Sequence, residues 1–64
     1  MLINLIKDLT SAGFIINIYK DKQYVIGLEA NGKVLIDNIP IKLLNEQKLY
    51  VVLMDLAQQH MDLK

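Results

Sequence analysis

The chain has 64 residues, with seven Lys balanced by seven acidic side chains, one His, no Arg and no Cys. Without Cys there can be no disulfide, thiolate nucleophile or Cys-based zinc site, and without Arg the chain lacks the preferred side chain for bidentate recognition of phosphate and guanine. Apolar residues make up 53% of a chain near the lower size limit for one core, so we expect apolar surface in excess of what that core needs.

The N-terminal segment predicts an amphipathic helix over residues 2–12. Its apolar residues recur at helical spacing: Leu2, Leu5, Ile6 and Leu9. Gly13 suits the left-handed residue that ends a helix. The segment lacks the charged n-region and cleavage site of a signal peptide, and the longest uncharged run, residues 9–19, is too short to span a bilayer. We therefore expect a cytoplasmic protein without membrane contact.

Three segments rich in β-branched and aromatic residues follow, FIINIYK, QYVIGLE and KVLID, separated by DK and NG. Asn31-Gly32 is a strong hairpin signal because both residues tolerate the positive φ of a type I′ turn. Pro40 has no backbone N–H and disfavours helix at Ile39, so the third strand is expected to end near Asn38. The pattern predicts a three-stranded antiparallel meander.

The turn positions predict which residues share a sheet face. Turns centred on residues 21–22 and 31–32 give three expected cross-strand pairs: Tyr19 with Tyr24, Ile18 with Val25, and Leu28 with Leu35. The face expected to form the core carries Phe14, Ile16, Ile18, Val25, Gly27, Val34 and Ile36. Gly27 would let a helix approach the sheet closely. The second face is also largely apolar, with Ile15, Asn17, Tyr19, Tyr24, Ile26, Leu28 and Leu35, and with Lys33 and Asp37 at its margin.

A short helical turn is expected over residues 41–44, and Asn45 is the expected N-cap of a long final helix with Glu46 in its first turn. At about 100° per residue, this helix has two apolar stripes. The expected core stripe is Leu49, Val52, Leu53, Leu56, His60 and Leu63. The neighbouring stripe is Tyr50, Met54, Ala57 and Met61. Either both stripes are core, or the second is a contact surface, since Tyr and Met are enriched in interface cores.

No catalytic, phosphate-binding or metal motif is present in the sequence. His60 is expected to have a structural or capping role near the end of its helix. Thr10 and Ser11 precede the helix-ending Gly13, and the carboxylates are spread singly, so neither a catalytic triad nor a hard-metal site is predicted. The segment EANGKV has one Gly in a turn, unlike a phosphate-binding loop. We expect no enzymatic activity, no cofactor and no metal.

The α-β-β-β-α order in a chain of this length resembles the layout of the double-stranded-RNA-binding domain. Members of that family present a Lys-rich N-terminus of the last helix to phosphates, whereas this chain has NEQK with Lys48 alone. Their Gly-Pro-His motif in the second hairpin has no counterpart in LEANGKV. Nucleic-acid binding is therefore the alternative function, disfavoured by a neutral chain without a basic stripe.

A second resemblance is to small phage or mobile-element proteins of low-GC bacteria, which are very short, rich in Ile, Lys and Asn, and free of Arg and Cys. Some anti-CRISPR proteins and other host-takeover inhibitors share this layout and act by occupying a surface on a larger enzyme. Several such inhibitors are strongly acidic DNA mimics, and the neutral charge of this chain departs from that pattern. The resemblance implies an inhibitor or regulator that binds through apolar and shape complementarity.

The sequence thus predicts a single α+β domain over residues 1–64, with a three-stranded antiparallel meander packed against N- and C-terminal helices. We expect a protein–protein interaction module that forms a homodimer, binds a larger host protein, or does both. The expected interface residues are Tyr50, Met54, Ala57 and Met61 on the last helix and Tyr19, Tyr24 and Leu28 on the sheet. The two patches are alternatives, because the one that the first helix covers is lost to a partner.

Overall fold

The computed structural model describes residues 1–62. Its elements are α1 (Leu2–Ser11), β1 (Ile15–Lys20), β2 (Tyr24–Ala30), β3 (Lys33–Ile39), a 3₁₀ turn (Ile41–Leu43) and α2 (Glu46–Asp62). The strands form one antiparallel sheet in the order β1-β2-β3. This confirms the predicted α+β class and the meander between two helices. Leu63, predicted on the core stripe, lies outside the described residues.

Gly13 terminates α1, as predicted, two residues after the last helical residue. Gly13 has a φ of 95°, and its N–H donates to the carbonyl of Thr10 at 3.1 Å, while the Phe14 N–H donates to the carbonyl of Leu9 at 3.0 Å. This pair of bonds is the Schellman motif, which satisfies carbonyls at the end of a helix. It turns the chain so that Phe14 packs against the core that contains Leu9.

α2 begins at the predicted cap. The Asn45 Oδ1 atom accepts a hydrogen bond from the Lys48 N–H at 2.8 Å, and the Asn45 carbonyl accepts one from the Leu49 N–H at 2.9 Å. A capping side chain thus satisfies a backbone donor that the first turn of a helix leaves free. The preceding strand, β3, ends at Ile39, directly before Pro40.

The two hairpins differ in how closely they follow the prediction. Asn31 and Gly32 have φ values of 54° and 79°, as a type I′ turn requires, and Leu28 pairs with Leu35 as expected. The first connection is a three-residue loop, residues 21–23, in which the Asp21 N–H donates to the Gln23 carbonyl. The predicted pairing of β1 with β2 is therefore wrong by one residue. The observed pairs are Ile18 with Ile26, Tyr19 with Val25 and Lys20 with Tyr24.

Both helices pack on the sheet face that contains Ile26, Leu28 and Ile39, which we call the helix side. The buried core is Leu5, Leu9, Ile26, Leu28, Ile39, Val52, Leu53 and Leu56. The predicted core was right for Phe14 and Ile16, which pack against this cluster, whereas Ile18 lies on the helix side but is 46% exposed. The predicted core was wrong for β2 and β3, because alternate residues point to opposite faces and the helices cover the other set. Four residues predicted as core lie on the opposite side of the sheet: Val25, Gly27, Val34 and Ile36.

Candidate functional site

Neither helix covers the second face of the sheet, which we call the outer face. Its nine positions are Ile15, Asn17, Tyr19, Val25, Gly27, Glu29, Val34, Ile36 and Asn38. Tyr19 is 62% exposed and Ile36 is 59% exposed, and about half of each of the Ile15 and Val34 side chains is also exposed. Large apolar side chains from both edge strands thus remain in contact with solvent.

The outer face has a glycine, Gly27, at its centre and is almost uncharged. Gly27 lies between Asn17 and Ile36, and a Cβ atom at position 27 would lie 3.5 Å from Val34 Cγ1, so the neighbouring Val34 leans over the glycine. Gly27 therefore does not serve the predicted close approach of a helix. Glu29 is the only Asp, Glu, Lys or Arg among the nine positions. Interface cores are depleted in charged residues in the same way.

The three sheet residues expected at the interface do not share a surface. Tyr19 is exposed on the outer face, but Tyr24 and Leu28 are on the helix side. Leu28 is fully buried and therefore cannot touch a partner in this fold, and the half-buried Tyr24 has the Lys20 ammonium 5.7 Å from its ring centroid. The grouping was wrong because it followed the β1–β2 register that is off by one residue.

The four residues of the predicted α2 stripe differ in solvent exposure. Met54 and Met61 are exposed, at 45% and 59%, whereas Tyr50 and Ala57 are half-buried and pack against the core. Half of the stripe therefore contributes to the core, in line with the first alternative, and the other half faces solvent. The predicted contact of Met54 and Met61 with a partner is therefore an alternative to a contact through the outer face.

Ile15, Val34 and Ile36 are exposed residues of the outer face that were not predicted as interface residues. One signal in the sequence could have identified them. Glu29 in β2 and Asn38 in β3 have the same strand parity as the apolar outer-face residues of those strands, although Lys33 and Asp37 of β3 have the opposite parity. A carboxylate and a carboxamide in those alternating positions favour the solvent side of a sheet.

A groove also opens where the two helices begin. It has a volume of about 880 Å³ and is lined by Met1, Leu2 and Ile3 at the start of α1 and by Asn45, Glu46, Gln47, Tyr50 and Val51 at the start of α2. Glu46 is the only carboxylate side chain among these lining residues. The groove thus has apolar walls but no pair of carboxylates of the kind that acid–base catalysis uses.

His60 makes structural contacts. Its Nε2 atom lies 2.6 Å from the Leu28 carbonyl oxygen, and since a carbonyl can only accept, the imidazole donates. The His60 ring also meets Phe14 edge-on, with ring centroids 5.5 Å apart. Within residues 1–62, no three His, Asp or Glu side chains are grouped so that they could hold a metal ion.

Lys20 and Lys33, the two lysines within the strands, lie far from each other. Lys20 pairs with Tyr24 and Lys33 pairs with Ala30, so the two cations stand at opposite ends of β2. A strand of this length separates them by roughly 20 Å. The outer face contains no Lys. Nothing in this arrangement favours a nucleic-acid interface on the sheet, because phosphate contacts require cations.

Comparisons with protein-family models, with curated proteins and with solved structures gave no match. In the part of the chain that the structure describes, no helix is both long enough and apolar enough to cross a membrane.

Proposed function

We propose that the protein is a small non-catalytic domain that binds other protein chains through its outer face. One observation carries the proposal: both helices pack on the helix side, and Ile15, Tyr19 and Ile36 remain exposed on the other side. An antiparallel sheet covered on one side normally presents polar residues to solvent. Contiguous exposed apolar patches on soluble domains mark interaction sites.

The size of the outer face bears on the kind of partner. Three strands of this length present a flat area of roughly 300 Å² on each side of the sheet. A standard interface buries about 800 Å² on each partner. One outer face alone therefore supports a small contact, and association of two copies is the simplest way to enlarge it, because a symmetric dimer needs a single self-complementary patch.

The second partner in this proposal is a larger host protein. The domain would act as an inhibitor or regulator by occupying a surface of that protein, in the way that small phage and mobile-element proteins of similar layout and composition do. The near absence of charge on the outer face supports recognition by apolar contact and shape. Such a domain needs no catalytic group of its own.

The experiment that tests the proposal compares three tagged baits in lysate of the native host: the wild type, Ile36→Lys on the outer face and Met54→Lys on α2. Both substituted side chains are about half exposed, so the variants should fold, which circular dichroism can verify. Truncating a hot-spot contact costs about 2 kcal/mol or more, which corresponds to roughly thirtyfold in affinity. We expect a protein that wild type and Met54→Lys retain and that Ile36→Lys loses.

Two outcomes would contradict the proposal. In the first, all three baits retain the same proteins to the same extent, which shows that retention does not depend on the outer face. In the second, Met54→Lys loses the partner and Ile36→Lys keeps it. That result would place the binding surface on the predicted α2 stripe.

A further inference from the structure

The two edges of the sheet differ in their protection against an added strand. β3 begins with Lys33, has the half-buried Asp37 on the helix side and is followed directly by Pro40. A terminal Lys, an inward-pointing charge and a Pro are features that hinder edge-to-edge pairing. β1 shares only the first of these features, since it ends with Lys20, and it has no charged residue and no Pro from Ile15 to Tyr19. Within residues 1–62 it pairs only with β2, so its other edge is free for hydrogen bonding with a further strand.

The helix layer also leaves β1 incompletely covered. α2 packs against β2 and β3, while α1 is the helix that packs beside β1. Ile18 lies on the helix side opposite the fully buried Ile26, yet Ile18 is 46% exposed. β1 therefore presents apolar side chains on both of its faces: Ile15 and Tyr19 on the outer face and Ile18 on the helix side. A strand placed beside β1 would extend both surfaces.

We propose that two copies of the chain pair antiparallel through β1, about a two-fold axis at Asn17, to form one continuous six-stranded sheet. This inference rests on the proposed function, since it specifies how a second copy of the chain binds the domain. In antiparallel pairing, residues opposite each other lie on the same face of the sheet. In a symmetric dimer, one residue of β1 must therefore lie opposite the same residue of the other copy, at the two-fold axis. Asn17 is the centre of the uncharged stretch of β1, residues 15–19, so this register pairs that whole stretch.

The register at Asn17 makes β1 complementary to itself. On the outer face, Ile15 of each copy lies opposite Tyr19 of the other, and aromatic pairs with β-branched residues stabilise sheets. On the helix side, Ile16 of each copy lies opposite Ile18 of the other, which covers the exposed part of Ile18. An axis at Ile18 would instead place Lys20 opposite Ile16. The two Asn17 carboxamides meet on the axis, where each can donate to and accept from the other.

The paired sheet also produces a larger outer face. Six strands present a flat area of roughly 600 Å² on that side, about twice the area of one copy. This brings the uncovered apolar surface closer to the size that a standard partner interface buries. Dimerisation through β1 leaves Val34 and Ile36 free on both copies, because they lie on β3, at the far edge. The dimer is therefore compatible with binding of a larger protein.

Cysteine cross-linking tests the pairing directly because the chain has no Cys. Asn17→Cys places two thiols opposite each other across the axis, with Cα atoms about 4.5–5.5 Å apart, within disulfide range. Asn38→Cys is the matched control, since it replaces the same residue type on the outer face of the other edge strand. Under mild oxidation of the folded protein, we expect a covalent dimer from Asn17→Cys and monomer from Asn38→Cys. A monomeric Asn17→Cys, or equal cross-linking of both variants, would overturn the register.

A second pair of variants separates this inference from the proposed function. Ile18→Lys places a charge on the β1 edge and removes two apolar pairs of the dimer, so we expect the dimer dissociation constant to rise by about tenfold or more. Ile36→Lys alters only the far strand and should leave dimerisation unchanged. If Ile18→Lys leaves the dissociation constant of the dimer unchanged, pairing through β1 is wrong, whichever proteins the tagged baits retain from the lysate. Unchanged partner capture by Ile36→Lys overturns the proposed function, whatever the state of the dimer.

Discussion

At the scale of single residues, His60 shows how a polar group is accommodated at the edge of a small core. Its imidazole donates to the carbonyl of Leu28 in the central strand and meets the Phe14 ring edge-on. These two contacts tie the last turns of α2 to β2 and to the end of the α1–β1 connection. A half-buried polar side chain costs little when its hydrogen bond is made.

Gly27 occupies a strand position that can accommodate a methyl group. Its φ is not positive, and an added Cβ would make ordinary contacts, 3.5 Å from Val34 Cγ1 and 3.7 Å from Asn17 Cβ. Replacing glycine by alanine at a compatible position reduces the entropy of the unfolded chain. We expect Gly27→Ala to raise the free energy of unfolding by about 0.4–1 kcal/mol, measured by urea denaturation at fixed protein concentration.

Gly32→Ala is the control for this substitution. Position 32 has a φ of 79° in the second hairpin turn, a conformation that costs an L-residue roughly 1–2 kcal/mol. We expect this variant to be destabilised. If Gly27→Ala lost as much stability as Gly32→Ala, a Cβ at position 27 could not be accommodated by ordinary contacts with Val34 and Asn17.

At the scale of elements, local signals in the sequence predicted what local interactions determine. Gly13 ends α1, Asn45 caps α2 and Asn31-Gly32 forms the second turn, because each of these residues acts on its immediate backbone. The first turn lacks such a signal: Asp21, Lys22 and Gln23 contain no glycine, and the sequence does not show that the loop has three residues. A one-residue error in loop length reverses the face of every residue in one strand relative to the next.

The choice of core face could not be read from the strands alone. On β2 and β3, the buried Ile26, Leu28 and Ile39 compete with a set of similar apolarity, Val25, Val34 and Ile36. Only the position of the helices, which is a tertiary property, decides which set is buried. The sequence predicted that one face of the sheet would carry surplus apolar residues. Of the three sheet residues predicted at the interface, however, only Tyr19 lies on the outer face.

The Asn45 cap contributes to the stability of α2. Asn45→Ala removes the acceptor for the Lys48 N–H, and loss of such a cap costs about 1 kcal/mol. Urea denaturation should show a lower midpoint with an unchanged slope. Asn4→Ala, at an exposed position in α1, is the comparison variant and should lose no stability, since alanine is the better helix former. Equal losses in the two variants would contradict the capping role of Asn45.

At the scale of the whole molecule, the balance between buried and exposed apolar groups favours association. Fully burying one large apolar side chain contributes about 1.5–3 kcal/mol, in a domain of this size whose core supplies about 3–5 kcal/mol in total. Ile15, Ile18, Tyr19 and Ile36 are about half exposed in the single chain. Pairing through β1 would cover parts of the first three and leave Ile36 for a further partner.

Sedimentation equilibrium of the wild type, from micromolar to millimolar concentration, tests self-association most directly. We expect the apparent mass to rise from the 7.3 kDa of the chain to twice that value, and the melting temperature to rise over the same range because a dimer is favoured by mass action. A mass of 7.3 kDa at every concentration, with a melting temperature independent of concentration, would contradict self-association.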